Sequence, residues 1–461
     1  MKNSLIPISS LTLLCITSPA IIAQQQKPNV IYILADDLGY GDLGCYGQTK
    51  FQTPNIDKMA ADGVQFMQHY SACTVSAPAR CGLMTGKHTG HSAIRGNSSE
   101  VGTDGKTYDT HLPDAEFTLG ELFKQKNYTT ACIGKWGMGG IGSEGHPNRQ
   151  GFDYFYGYLG QGHAHAYFPK FLHEDTTEIP LNKSEYSHDL IEVKATDFIR
   201  KNKNNPFFLY LTFTLPHAEL QIPKEHRLAY EDMFMPEKPH TGNYTAQKKP
   251  HATYAAMVSR LDASVGKIET LLKELQLDEN TIVIFTSDNG PHSEGGADPK
   301  FFNSSGIYRG IKRDLYEGGI RIPMIAKWSK HFPAGKKSTL PTAFWDMMPT
   351  FGSIINTNVP KGLDGISFLP ELTGKKQTKK HDFFYWEFHE GGGKQAVLQG
   401  DWKMIKLQVL NARKTYFELY NIRKDPRETT NLLKDFPEKV KKLAAIISRE
   451  HTENKVFKLY N

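Results

Sequence analysis

Residues 30–37 read Val-Ile-Tyr-Ile-Leu-Ala-Asp-Asp, a short apolar run that ends in two aspartates. Such a β-branched and aromatic run is typical of a strand buried on both faces. The same pattern recurs at Phe207–Phe213, before Pro216-His217, and at Ile282–Phe285, before Asp288-Asn289-Gly290. Ligands of open parallel sheets bind at the carboxyl ends of the strands. The three polar clusters therefore predict a functional site at one edge of a sheet.

Helical patterns separate these strands, and Tyr254–Leu272 keeps apolar residues at helical spacing. The alternation predicts a doubly wound α/β fold, with a large, mixed, mostly parallel sheet sandwiched by helices. Towards the C-terminus, the lysine-rich segment Lys375–Lys380 is typical of a linker. Short strand-like runs and an amphipathic helix follow it and predict a smaller α+β subdomain. The predicted organisation is a signal peptide (1–23), a catalytic domain (24–374), a linker (375–381) and a C-terminal subdomain (382–461).

The composition is that of an ordinary globular protein. The 461 residues are 39% hydrophobic and 23% charged, which excludes a disordered, collagen-like or coiled-coil chain. The formal net charge of +6 is small and evenly spread, so we expect no nucleic-acid partner. An acidic substrate remains compatible with this balance.

The first 23 residues indicate export. Lys2 is their only charge, and an apolar run from Leu11 to Ile22 ends in Ala23. This pattern is typical of a secretory signal, so we expect a secreted, periplasmic protein. The run is shorter than the roughly 20 apolar residues of a membrane anchor, and we expect no stable membrane insertion.

Oxygen ligands stand at the ends of two predicted strands. Asp36-Asp37 or Asp288-Asn289 alone would more often be a turn, in which Asp and Asn are common. Together the two pairs supply four oxygen ligands without cysteine or histidine. Such a set favours Ca²⁺ or Mg²⁺ over zinc.

Residues 76–86 read Ser-Ala-Pro-Ala-Arg-Cys-Gly-Leu-Met-Thr-Gly. A lone serine before a proline-initiated helix is usually a helix cap. The whole run, however, resembles the signature of the formylglycine-dependent sulfatases of the alkaline phosphatase superfamily, in the serine-type form found in bacteria. Ser76 has proline at +2 and arginine at +4, as that signature requires, whereas Cys73 and Cys81 do not.

The resemblance extends over nearly all of the chain that follows the predicted signal. The matching blocks are residues 36–42, Thr53–Asp57, Ile133–Trp136, Pro216-His217, Asp288–Gly290, 309–323, Leu419–Ile422, Asp425-Pro426 and Asn431-Leu432. So many matches in order identify the chain as a member of the family. The resemblance implies a sulfuric ester hydrolase whose substrate is a sulfated carbohydrate, such as a fragment of a glycosaminoglycan, a mucin-type glycan or an algal glycan.

The resemblance also implies roles for particular residues. An anaerobic-type sulfatase-maturating enzyme would convert Ser76 to formylglycine before export. One Ca²⁺ would be held by that residue with Asp36, Asp37, Asp288 and Asn289. Arg80, Lys135 and Lys312 would offset the charge of the sulfate, and His217 would protonate the departing sugar oxygen. A hydroxyl of the hydrated aldehyde would attack sulfur, and the second hydroxyl would then expel sulfate.

One position departs from the family pattern. Family members commonly have histidine after the Gly-Lys-Trp block, where this chain has Gly137. That histidine is usually assigned to the release of sulfate. His165 is the first candidate to replace it and His163 the second; two histidines at this spacing in a loop are also common surface residues.

Residues that contact the sugar are harder to predict, and His163, Glu387 and His389 are the candidates. Glu387 and His389 alternate along the strand-like run Phe383–Glu390, so they could reach over the cleft or belong to a core strand. Two further functions stay open from the sequence. One is phosphoryl transfer by unmodified Ser76 with zinc, against which Asn289 argues, and the other is a sulfated-glycan binder without catalysis.

Overall fold

A computed structural model of the chain describes residues 27–101 and 105–460. The predicted signal peptide, residues 1–23, lies outside the described residues. The strands are β1 (Asn29–Ala35), β2 (Val64–Tyr70), β3 (Ser99–Val101), β4 (Thr107–Asp109), β5 (Thr129–Lys135), β6 (Tyr154–Tyr158), β7 (Phe171–Glu174), β8 (Thr177–Pro180), β9 (Phe207–Thr212), β10 (Thr281–Ser287), β11 (Arg321–Lys327), β12 (Lys336–Ser338), β13 (Thr342–Ala343), β14 (Phe384–Phe388), β15 (Lys394–Gln399), β16 (Trp402–Leu407) and β17 (Tyr416–Asn421). The helices are α1 (Pro54–Ala61), α2 (Ser76–Thr85), α3 (Leu119–Lys124), α4 (Ser187–Lys201), α5 (Lys224–Arg227), α6 (Pro250–Glu274), α7 (Pro299–Phe302), α8 (Glu317–Ile320), α9 (Met347–Ile354), α10 (Leu369–Leu372) and α11 (Pro437–Glu450).

A large mixed sheet forms the centre of the molecule. Its strand order is β12-β2-β11-β10-β1-β9-β5-β6-β7-β8, with β13 also paired to β2. The five central strands, β10 to β6 in this order, are parallel, and antiparallel pairs flank them at β10–β11 and β6–β7. The predicted fold class is thereby confirmed.

Helices cover both faces of the sheet. Along β1, Val30, Tyr32 and Leu34 face a core that α2, α3 and α9 share. Ile31 and Ile33 face the opposite core, which contains apolar residues of α1, α4 and α6. Both faces of the strand are thus buried, which explains its continuous apolar sequence.

The register of the parallel strands positions the site. Ala35 at the end of β1 pairs with Ser287 at the end of β10. Gly134, one residue before the end of β5, pairs with Thr212 at the end of β9. The residues that follow these strands therefore emerge at one edge, as the sequence pattern predicts.

The C-terminal sheet has the order β14-β15-β16-β17 and is antiparallel. One of its faces, with Trp386, belongs to the same hydrophobic core as α2 and α9. The other face, with Tyr385, packs against α11. Lys375–Lys380 lies between α10 and β14. The two sheets thus share one hydrophobic core. The domain boundaries given above stay a prediction.

Within the described ranges, no helix combines the length and the apolar character that crossing a bilayer requires. The four cysteines of these ranges, Cys45, Cys73, Cys81 and Cys132, are free thiols.

Candidate functional site

The sheet edge brings together the side chains that the sequence singles out. Asp36 and Asp37 directly follow β1, Asp288 and Asn289 directly follow β10, and Lys135 is the last residue of β5. Ser76 and Arg80 lie in the first two turns of α2, Lys312 precedes α8, and His217 follows β9. All of these side chains are at most 8% exposed.

Hydrogen bonds connect three of the five predicted metal ligands to one another and the remaining two, Asp36 and Ser76, to each other. The Asp37 amide donates to Asp288 Oδ1 at 3.0 Å, and Asn289 Nδ2 donates to Asp37 Oδ1 at 2.7 Å. The Ser76 hydroxyl donates to Asp36 Oδ1 at 2.9 Å. Asp37 has a φ of 62°, a left-handed conformation that is costly for a residue with a Cβ. That strained backbone carries the Asp37 carboxylate into the cluster.

One oxygen of this cluster lacks a partner. Asn289 Oδ1 is buried and accepts no hydrogen bond from any described residue. A buried amide oxygen without a partner is costly unless a further group binds it. The orphaned oxygen and the three neighbouring carboxylates are a donor set of the kind that a hard divalent cation binds. The residues present thus fit a divalent metal site.

Three buried cations surround the carboxylates. Arg80 Nη2 lies 2.9 Å from Asp288 Oδ2, Lys135 Nζ lies 2.6 Å from Asp36 Oδ2, and Lys312 Nζ lies 2.8 Å from Asp37 Oδ2. The Arg80 Nη1 group also donates to the Lys135 carbonyl, which attaches α2 to the end of β5. Each buried carboxylate thus has its own cation, as buried charges require.

The surroundings shift the pKa values of the carboxylates in opposite directions. Burial alone would raise the pKa of Asp36, but Lys135 beside it holds that pKa well below its usual range. Burial and the nearby Asp36 charge raise the pKa of Asp288 to about 7. The raised pKa of Asp288 means that the nearby cations do not fully compensate this carboxyl group for its burial and for the Asp36 charge, and a further cation beside it would favour its ionised form.

Lys312 and His217 form a hydrogen bond at the mouth of the carboxylate cluster. Lys312 Nζ and His217 Nε2 are 3.0 Å apart, and His217 Nδ1 donates to the Ala218 carbonyl. Burial and the neighbouring Lys312 charge lower the pKa of His217 to about 3. The imidazole is therefore neutral, and Lys312 carries the proton in this arrangement.

The structure brings His165 next to His217. The two rings are stacked, with centroids 4.7 Å apart and an angle of 17° between their planes. Burial, together with the charge of Lys135, lowers the pKa of His165 to about 4. His165 is therefore unprotonated near neutral pH and has the protonation state of a base.

Another side chain fills the place of the missing histidine. A Cβ at Gly137 would lie 2.0 Å from the amide nitrogen of Gln161, and the φ of +73° at Gly137 also favours glycine. The backbone amide of Gln161 in turn donates to Asp109 Oδ2. Gln161 and Asp109 thus form one wall beside the catalytic cluster.

A cavity of about 170 Å³ opens over Ser76. Its remaining lining residues in the described ranges are Val75, Asn97, Asp109, Gln161, His165, His217, Tyr244, Glu294, Lys312 and Arg313. The sequence analysis missed Asn97, Asp109, Gln161, Tyr244, Glu294 and Arg313. These residues come from separate segments of the chain, and no local sequence pattern marks them.

Three residues predicted to contact substrate lie away from this cavity. Glu387 is 2% exposed and binds Arg95 Nη1 at 2.7 Å, so the core alternative is correct for it. The ring of His389 packs on Gly96 and on Phe457, and the ring of His163 packs on Phe171 at 4.4 Å. The predicted sugar contact of Glu387 is therefore wrong in this structure, whereas those of His389 and His163, neither of which lines this cavity, stay predictions.

The surroundings of His292 bear on the zinc alternative. His292, Asp37 and Glu294 could together hold a second metal ion. However, His292 Nε2 lies 3.1 Å from the Pro216 carbonyl, and Nδ1 accepts from the Glu294 amide at 3.1 Å. Both ring nitrogens are in use, which disfavours a two-zinc site.

The chain is similar to known sulfatases over most of its length. A family profile described as Sulfatase matches residues 28–357, and one described as N-sulphoglucosamine sulphohydrolase, C-terminal, matches residues 306–455. An N-acetylgalactosamine-6-O-sulfatase from Bacteroides thetaiotaomicron is 30% identical, over 93% of this chain and 94% of that protein. An N-acetylgalactosamine-6-sulfatase from Canis lupus familiaris is 32% identical, over 82% and 71%. The crystal structure of Ps i-CgsB in complex with k-i-k-neocarrahexaose superposes with a TM-score of 0.79 at 29% identity, over 94% of this chain and 95% of that one.

Proposed function

This chain belongs to the sulfatase family and is a sulfuric ester hydrolase, and we propose that it removes sulfate from a sulfated carbohydrate. Three buried cations, Arg80, Lys135 and Lys312, support the proposal, because they surround the carboxylate cluster to which the Ser76 hydroxyl is bonded. A sulfate ester is an anion that repels nucleophiles, and fixed cations at its oxygens lower that barrier. The relatives whose names specify an N-acetylgalactosamine sulfate support a carbohydrate substrate.

Ser76 is the proposed nucleophile after conversion to formylglycine. It begins α2, so the free backbone amides of the first helical turn lie beside it and favour an anion there. An anaerobic-type maturating enzyme would remove two hydrogen atoms from the serine before export to the periplasm. The hydrated aldehyde supplies a hydroxyl nucleophile that can be regenerated in each turnover.

One Ca²⁺ is the proposed metal, held by Asp36, Asp37, Asp288, Asn289 and the residue at position 76. The orphaned Asn289 oxygen and the absence of cysteine and histidine from this donor set support calcium over zinc. When bound, the ion supplies positive charge to the sulfate oxygens. Arg80 holds Asp288 in place for this role through two hydrogen bonds.

Lys312 and His217 are placed to handle the leaving group. Lys312 carries a proton and lies 3.0 Å from His217 Nε2. Both side chains line the cavity above Ser76. We assign to His217 the delivery of this proton to the departing sugar oxygen.

His165 is the proposed base for sulfate release. It lines the same cavity and is neutral, and its ring lies against His217. Gly137 has no side chain, and Gln161 beside it has an amide that cannot accept a proton at neutral pH. His163, the other histidine predicted for this role, does not line the cavity.

Asp109 and Gln161 are the proposed sugar contacts. Asp109 lines the cavity, and its Oδ2 accepts from the Gln161 backbone amide. Burial raises the pKa of Asp109, although the Gln161 amide and the charge of Lys135 oppose this shift. A carboxylate and an amide on one wall suit the hydroxyl groups of a sugar.

Conversion of Ser76 is directly measurable. After co-expression with the maturating enzyme, we expect the peptide that contains Ser76 to lose two hydrogen atoms by mass spectrometry. Ser76→Ala should be inactive on an aryl sulfate and on sulfated sugars, whereas Cys73→Ala should keep activity. Activity in Ser76→Ala would contradict the proposed nucleophile.

Removal of one metal ligand should remove both calcium and activity. We expect Asp288→Asn, which loses a charge at constant shape, to contain little calcium by elemental analysis and to lose at least about 10²-fold in kcat. Asp435→Asn, at an exposed position, is the control and should match the wild type. Stoichiometric zinc with other ligands in the wild type would contradict the assignment and favour phosphoryl transfer.

His165→Ala should separate the two halves of the reaction. We expect normal release of the alcohol in the first turnover, followed by steady-state turnover that is slower by about 10²- to 10⁴-fold. A base must be unprotonated, so protonation of His165 should lower wild-type kcat as the pH drops through about 4, the lowered pKa of this residue. His163→Ala is the matched control on the same turn and should behave as wild type. A slow first turnover with raised KM would instead assign His165 to substrate binding.

Asp109→Asn tests the sugar contact. A hydrogen bond to a charged group contributes about 1.5–3 kcal/mol, so kcat/KM on a sulfated N-acetylhexosamine should fall by roughly 10- to 150-fold. Turnover of an aryl sulfate, which lacks sugar hydroxyls, should be unchanged. Equal losses on both substrates would show that Asp109 acts on the catalytic cluster instead.

Binding of sulfated sugar without any turnover by the matured wild type would favour the non-catalytic binder.

A further inference from the structure

A second cluster of metal-binding side chains lies outside the cavity, where the loop after α2 meets the end of α11. Its members are His88, His91, Asp364 and Glu450. Ligand atoms of His88, His91 and Glu450 all lie within 4.8 Å of one another. None of the four side chains lines the cavity above Ser76. The cluster is thus a separate feature of the described chain.

His88 points its Nε2 atom into this cluster, where the atom has no hydrogen-bond partner. Its side chain is 4% exposed, and Nε2 makes no hydrogen bond to any described residue. The nearest carboxylate oxygens are Glu450 Oε2 at 3.5 Å and Asp364 Oδ1 at 3.6 Å. Charge-assisted hydrogen bonds are shorter, about 2.7–2.9 Å. In a tetrahedral site with bonds of about 2.0–2.1 Å, however, neighbouring ligand atoms lie about 3.3–3.4 Å apart.

His91 has the arrangement of an oriented metal ligand. Its Nδ1 lies 2.9 Å from Asp364 Oδ1 and donates to that carboxylate. The proton is thereby held on Nδ1, and Nε2 is left as a lone-pair donor 3.9 Å from Glu450 Oε2. Histidines bound to metals commonly donate their other ring N–H to a carboxylate in this way.

We propose that His88 Nε2, His91 Nε2 and Glu450 Oε2 bind one Zn²⁺, with Asp364 orienting His91 and water completing the coordination. Two imidazoles and one carboxylate suit zinc, whereas Ca²⁺ and Mg²⁺ prefer oxygen ligands. The ring of His91 is 30% exposed, so the ion has a route from solvent.

The site would tie the C-terminal subdomain to the catalytic domain. His88 and His91 belong to the loop that leads to Asn97 on the cavity wall, and Glu450 is the last residue of α11. The amide of Gly90 lies 3.1 Å from His88 Nδ1. Zinc on Nε2 moves the imidazole proton to Nδ1, so the ring must turn away from Gly90. This adjustment lowers the affinity of the site for zinc below that of a site whose ligands are already in place.

The test measures zinc on the full mature chain. The protein is stripped with a chelator, saturated with Ca²⁺ to fill the oxygen site, incubated with ZnCl₂ and gel-filtered. We expect about one equivalent of zinc by elemental analysis and a higher melting temperature than without zinc. Co²⁺ in place of zinc should show the visible absorption of a tetrahedral ion.

Variants assign the ligands. Glu450→Gln and His91→Gln should each bind less than about one tenth of an equivalent of zinc, and zinc should no longer raise their melting temperatures. Glu438→Gln, an exposed position on the same helix, should bind as the wild type does. Less than about one tenth of an equivalent in the wild type would overturn the proposal, and so would undiminished zinc in Glu450→Gln. Turnover of an aryl sulfate measures the proposed function separately, since none of these residues lines the cavity.

Discussion

Three buried carboxylates at one sheet edge are the constraint on which the rest of the structure depends. Asp36, Asp37 and Asp288 are each fully buried. Carboxylates so placed are tolerated only when cations and hydrogen bonds offset the loss of water. Arg80 of α2, Lys135 of β5 and Lys312 before α8 meet this need from three separate parts of the chain. The charge balance of the site therefore also fixes how these elements pack.

The same balance explains what the site can do. A cation lies within reach of each carboxylate, and a further cation would fit beside Asn289. Because the charges of the carboxylates are offset in this way, an anionic ester can enter the site. The strained backbone at Asp37 shows that the arrangement has a conformational cost. In the proposed function, groups held at some cost to folding would stabilise the charge of the transition state.

The departure at Gly137 has a structural consequence beyond the loss of one histidine. The space is not left open, because Gln161 occupies it and connects to Asp109 through the Gln161 backbone. Gln161 and Asp109 thereby give this part of the cavity wall hydrogen-bonding groups. The base proposed for sulfate release, His165, approaches from the other side, against His217.

The parallel strands, the polar residues at their ends, the signature at Ser76 and hence the family can all be inferred from the amino-acid sequence alone. These are local features, since buried strands require continuous apolar runs and the catalytic blocks are contiguous. Only the tertiary structure decided which distant side chains share the cavity. Glu387 has the alternation of a reaching strand residue, yet Arg95, far away in sequence, holds it in the core. Asp109 and Gln161 have no local signature, and they reach the cavity because separate loops converge over the sheet edge. Such contacts depend on the packing of the whole chain, which no short stretch of sequence specifies.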